Sequence, residues 1–215
     1  MNFEADIRDH ILRVLPYDES DHNTMIELYC MDVTTLLTYY LNWLNRLIEP
    51  RPRKVHQSKE LLSNPLSKNF SIPIADITQK IENGTNITCH LSDRITCGYK
   101  SANFGYRQVS HKKKNLREKA LNRKEDLDLL LNDWRIHHLH LSTNKKSNGF
   151  VSGNELLLAI FTKSDAYLID ISTHGKWADE HLIRVIVSNW PHENLVWPLR
   201  AVSYTHLTLP TILRV

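Results

Sequence analysis

Apolar positions recur at three- and four-residue spacing along the first part of the chain. Phe3, Ile7, Ile11 and Leu15 form one helical face, ended by Pro16. Over residues 24–48 the apolar set is Leu28, Tyr29, Val33, Leu36, Leu37, Tyr40, Leu41, Leu44, Leu47 and Ile48, which predicts a single long amphipathic helix. Pro50 and Pro52 stop it, because proline disfavours helical geometry at itself and at the residue before. Residues 55–73 read as irregular polar surface. From Pro73, the positions Ile74, Ile77 and Ile81 predict a further helix to Glu82, with Gly84 just past its end. No period is evident over residues 89–106, and the Leu-rich stretch 126–132 reads as the end of a helix.

Further on the period shortens. Residues 135–141 and 166–171 read as strands, and 155–162 is an apolar run of strand length. Lys163-Ser164-Asp165 makes a tight turn, so the last two strands form a hairpin. Leu182, Ile183, Ile186 and Val187 mark a helix over 178–188, closed by Trp190-Pro191. The expectation is an α+β fold: N-terminal helices, then a small antiparallel sheet with a packed C-terminal helix. The expected divisions are a helical part (1–50), a mixed basic middle (51–132) and the sheet with its helix (133–197).

Composition narrows the class without naming a function. With 215 residues, 41% hydrophobic and 24% charged, the chain has ordinary globular proportions. No run of about 18 apolar residues occurs, so no membrane span is expected. An acidic start without an apolar stretch behind it, and three scattered cysteines, fit a reducing cytoplasm. A formal charge of +3 does not by itself demand nucleic acid. There is no Gly-rich phosphate loop, Cys-x-x-Cys pair or Gly-x-Ser-x-Gly elbow, and no cofactor is called for. Asn83-Gly84-Thr85 and Asn86-Ile87-Thr88 match the glycosylation acceptor pattern.

Candidate chemistry gathers in three places. In Trp134-Arg135-Ile136-His137-His138-Leu139-His140-Leu141, strand alternation puts Ile136, His138 and His140 on one face. Residues two apart on a strand lie about 6.5–7 Å apart, so the two imidazoles can converge on one phosphate or metal. His174, Asp170 and His181 are further candidates for that cluster. The same strand reads equally as a half-buried sheet whose histidines only hydrogen-bond, and no metal set with a recognisable spacing emerges. In Pro50-Arg51-Pro52-Arg53, the prolines stiffen a segment that presents Arg51 and Arg53 to phosphate or carboxylate, or else it is a solvated linker. The tract 107–124 carries Lys112, Lys113 and Lys114 behind Tyr99, Phe104 and Tyr106; it suits RNA, or is a solvated charge run.

Three resemblances add to these readings. The motifs Pro50-Arg51-Pro52-Arg53-Lys54-Val55-His56-Gln57-Ser58, the His-rich strand with its preceding Asp133, and Asn189-Trp190-Pro191 resemble those of a group of bacterial proteins with no assigned activity. That resemblance implies a bacterial source. Residues 134–177 resemble the sheet of RelE/ParE-type toxins, with Trp134-Arg135-Ile136, the apolar run 156–161, Asp165 and His174 in the corresponding places. It implies a toxin-like, RNA-directed endoribonuclease. His138, His140 and His174 are then the expected proton-transfer or phosphate groups, with Arg135 and Lys176 as electrostatic support. A partner-binding protein using helix 24–48, or a metal-dependent hydrolase using the same histidines, are the alternatives. Residues 202–211 resemble a translated sequencing adapter, so residues 202–215 are expected to be a non-native tail. Setting Arg214 aside lowers the formal charge by one.

Overall fold

The computed structural model describes residues 2–99, 129–173 and 180–196. The fold is α+β. Helices α1 (Phe3–Val14), α2 (His22–Cys30) and α3 (Val33–Arg46) come first. Strand β1 (Lys54–Gln57) and helices α4 (Lys59–Ser63), α5 (Pro65–Asn69) and α6 (Ser71–Glu82) follow, then two short 3-10 turns. After α7 (Leu129–Trp134) come β2 (His137–His140), β3 (Glu155–Phe161), β4 (Asp165–Thr173) and α8 (Glu180–Asn189). Among the described residues no helix is long and apolar enough to cross a membrane.

Helix starts follow local polar chemistry. Asp21, Asp32, Ser58 and Asn64 each precede a helix and accept a hydrogen bond from a backbone N–H of its first turn. Asp32 corrects one expectation: residues 24–48 form two helices, not one. The Asp32 carboxylate takes the Thr35 N–H at 2.9 Å and its backbone is extended, so α2 ends and α3 begins anew. Apolar spacing alone does not register such a cap.

The sheet has the order β1-β4-β3-β2. β2, β3 and β4 are antiparallel, as expected, but β1 joins the far side in parallel, with His56 beside Tyr167. The polar segment expected at 55–73 thus holds an edge strand and two short helices. With Lys54 and Gln57 exposed and Val55 and His56 half-buried, its four residues show no alternation. β3 and β4 lie inside the sheet and are covered on both faces, which is why Leu156, Leu157, Leu158, Ala159 and Ile160 form an unbroken apolar run. Register shifts between Leu158 and Ala159, opposite Asp170 and Leu168, so β4 carries one extra residue there.

One sheet face contributes Leu139, Leu141, Leu157, Ala159, Ala166 and Leu168 to a core with Ile74, Ile77 and Ile81 of α6. The other contributes Ile136, Leu158, Ile160, Tyr167 and Ile169 to a core with Leu182, Val185 and Ile186 of α8. The N-terminal helices form a third cluster around Ile11, Leu15, Leu28 and Leu36. One carbonyl of the outer edge of β2 is capped: the buried His90 ring donates from Nδ1 to the His140 carbonyl at 3.1 Å.

Candidate functional site

The His-rich strand alternates as its sequence requires. Ile136 enters the core under α8, and Leu139 and Leu141 enter the opposite core. His138 and His140 are half-buried on the Ile136 face, their ring centres 6.1 Å apart. The structure therefore brings these two candidates together. His140 is also engaged through Nδ1 with the Gly153 carbonyl at 3.0 Å. Asp170 sits across β3, paired with Leu158 as His138 is, which sets it about 10 Å from His138 at the usual strand spacing. Its carboxylate accepts from Asn64 Nδ2 and from the Ile171 N–H, both at 2.7 Å. The extra residue in β4 and the Asn64 bond turn Asp170 to a structural use. His181 is on the exposed side of α8. Among the described residues no three His, Cys, Asp or Glu side chains gather as a metal site. His174, Lys176 and the triplet Lys112, Lys113 and Lys114 lie outside the described residues.

The arginines divide. Arg53 is buried, and its guanidinium clamps backbone: Nε donates to the Thr162 carbonyl at 2.7 Å and Nη1 to that of Glu49 at 2.9 Å. It also lies over the Phe161 ring, 5.5 Å from its centre. Burial pushes its pKa down from the usual arginine value. Arg53 is thus a bolt between the proline segment and the β3–β4 turn, and the expected phosphate grip is not available to it. The sequence places it correctly on a stiff segment. The turn 109 residues away that consumes its donors is a tertiary feature. Arg51 stays half-exposed beside Glu49, at 2.9 Å. Arg135 is exposed, and with φ 58 it closes α7 in the left-handed region before β2 starts.

The pairing of β1 with β4 assembles a group that the sequence reading passed over. His56 Nε2 lies 2.8 Å from Asp165 Oδ1, with both side chains about one-quarter exposed. A carboxylate can only accept, so Nε2 carries the ring proton and Nδ1 of the neutral ring carries the lone pair. Nδ1 has no hydrogen-bond partner among the described residues. Asp165 also accepts from the Ser164 hydroxyl. That bond first, then the bond to His56, holds its carboxyl below the usual range against the effect of burial; Lys54 adds a smaller pull. The His56 ring stacks on Tyr167 at 4.9 Å and 13°. Tyr167 donates to Glu193 Oε2 at 3.2 Å and meets the Trp190 edge. Burial, and then the Glu193 bond, push the Tyr167 phenol up to about 12, so it stays a neutral donor.

No protein-family model, curated protein or solved structure matches the chain.

The site therefore rests on geometry alone. An imidazole is oriented by a carboxylate, braced on a ring face, and keeps one nitrogen available for a proton. Lys54 stands two residues away on the same strand face, and Lys163 in the adjoining turn; both are exposed. His56 was legible as part of the motif ending in Gln57-Ser58. Its Asp165 partner was legible only as a turn residue. Nothing local in the sequence joins them.

Proposed function

We propose that the protein is a cytosolic, bacterial, RNA-directed enzyme of toxin-like type: an endoribonuclease whose proton-transfer group is His56. The observation that carries this reading is the 2.8 Å bond from His56 to Asp165. Asp165 orients the ring and stabilises the imidazolium that forms when Nδ1 takes a proton. On RNA that proton comes from a 2′-hydroxyl. The 2′-oxygen bonds to phosphorus, the bond from phosphorus to the 5′-oxygen breaks, the leaving oxygen takes a proton from water, and the hydroxide left behind takes back the proton held by His56. Lys54 and Lys163 supply positive charge beside the reacting phosphate. His138 and His140 occupy the same sheet face and are assigned phosphate contacts in this reading, with Arg135 at the start of their strand.

The test is cleavage of an end-labelled structured RNA by the native protein, His56→Ala, Asp165→Asn and the pair His138→Ala with His140→Ala. His56→Ala is expected to lose about 10²–10⁴-fold in rate, the usual scale for one proton-transfer group. Its melting temperature should stay close to native. Absence of cleavage by the native protein, or full activity in His56→Ala, overturns the reading. Loss confined to the His138 and His140 variant moves the site to β2.

A second reading has a separate observation behind it. Leu41 and Leu44, three apart on α3, leave 50% and 38% of their surface exposed. Such a stripe suits a helix of a partner protein, with no enzymatic role for the chain.

A further inference from the structure

Beside β1 lies an open groove of about 510 Å³. Gln57 forms one side, α4 and α5 close one end, and α6 forms the other side from Ser71 to Glu82. Leu61, Ile74 and Ala75 give it an apolar floor, and Thr78 places a buried hydroxyl there with no hydrogen-bond partner among the described residues. Leu62, in its lining, and Ile72, beside Ser71, are 66% and 75% exposed.

The backbone next to this groove is directional. The Lys54 N–H donates to the Ser164 carbonyl at 2.9 Å and the Ser58 N–H to that of Leu168 at 3.0 Å. In a parallel ladder the residues with even numbers here therefore face β4, and the N–H and C=O groups of Val55 and Gln57 face away from it. Arg53, in phase with them, shows what that edge can bind: its N–H donates to the Ile81 carbonyl at the end of α6, at 3.1 Å. Gln57, in phase with Arg53, is the β1 residue that lines the groove. The opposite margin of the sheet, β2, has its His140 carbonyl capped by His90; β1 has an apolar trough instead.

We propose that the groove receives an extended peptide segment of a partner protein, added as a strand to the outer edge of β1. Main-chain bonds to Val55 and Gln57 supply the register, and one apolar side chain of the peptide rests on Leu61 and Ile74. The eleven helical steps from Ser71 to Glu82 span roughly 16 Å, the length of about five extended residues. Lys68 marks one end of the trough and Glu82 the other. The occupant is therefore a segment of about five residues, acidic at the Lys68 end and basic at the Glu82 end. This surface is separate from His56 and does not depend on RNA chemistry.

Two measurements test it. In native-state hydrogen exchange, the Val55 and Gln57 amides should exchange much faster than those of His56 and Ser58. Equal protection means that the edge is already covered and overturns the proposal. Next, a display library of random heptapeptides is selected against the full chain. Peptides alternating apolar residues, acidic at one end and basic at the other, should bind at least ten-fold more tightly to the native protein than to Gln57→Pro. Proline removes the outward N–H at a place where edge strands tolerate it. If Gln57→Pro does not fold, N-methylation of alternate residues in a selected peptide removes donors without touching the protein, and should cause the same loss. Peptides that bind regardless of both changes overturn the proposal.

Discussion

At the residue scale, what separates the histidines is who holds their nitrogens. His56 is held on one side only, through Nε2 by the Asp165 carboxylate. His90 is buried, with Nδ1 on the His140 carbonyl and Nε2 3.8 Å from Asp76 Oδ2. Burial is the largest influence and lowers its pKa from 6.5; Lys80 and Lys145 push the same way, while the carbonyl and Asp76 oppose them. In the unfolded chain His90 takes its proton near 6.5, but in the native protein only at lower pH. The unfolded state therefore binds more protons in that window, and stability rises with pH across it. The stabilisation is present above 6.5 and is lost as pH falls toward the lowered native value. Urea unfolding on either side of pH 6.5 should show this loss. His90→Asn, which keeps a donor for the His140 carbonyl, should flatten it. An unchanged pH slope in the variant would assign the effect to another group.

At the element scale, the long apolar periods were legible and the short elements were not. α6 and α8 repeat their buried positions three or more times, so their existence followed from the sequence, as did the α6 face; on α8 the core takes Val185 where Val187 was expected, and Val187 stays exposed. The same holds for β3 and β4, whose apolar runs match burial on both sides. β1 is only four residues long, and its identity comes from β4, more than a hundred residues later. Half of the candidate site was invisible for that reason, because Asp165 reaches His56 only once the parallel pair has formed. One local signal did hold at full strength. Gly84 ends α6 with φ +69; its N–H donates to the Ile81 carbonyl and that of Thr85 to Lys80, the paired bonds of a glycine-terminated helix. A Cβ there would stand 2.5 Å from the Pro52 ring, so the helix end and the proline segment fit only through glycine. Gly84→Ala combines a left-handed strain with that clash, and should lower stability by more than about 1 kcal/mol in urea titration. Because Pro52 adjoins Arg53, the Arg53 N–H to Ile81 bond should also exchange faster in the variant. A neutral effect would mean that the segment shifts away without cost.

At the scale of the whole molecule, the three buried clusters of the described residues are unequally joined. The two sheet cores are two sides of the same strands, so β3 and β4 cannot open without exposing both. Among the described residues the N-terminal cluster is built from α1, α2, α3 and Tyr99 with their neighbours, and shares no buried residue with the others. Its ties to the rest include a hydrogen bond from Trp43 Nε1 to the Ile95 carbonyl at 2.9 Å and another from the Gly98 N–H to Pro16 at 2.7 Å. Single hydrogen bonds of this kind contribute about 1 kcal/mol each. α3 also packs against α7, but the two clusters share no buried side chain among the described residues. The N-terminal helices should therefore open locally at lower free energy than the sheet. Leu28 and Leu168 are both fully buried, so truncating either to alanine should cost about 2–5 kcal/mol where it is felt. Native-state hydrogen exchange locates that loss. Leu28→Ala should accelerate exchange across α1, α2 and α3 and leave the slowest amides of β3 and β4 at native rates. Leu168→Ala should accelerate the amides of β3 and β4 themselves, because it removes packing between β4 and α6. If Leu28→Ala accelerates the sheet as much as the helices, the polar ties couple the clusters into one cooperative unit. Loss of the N-terminal helices would then carry the His56 site with it.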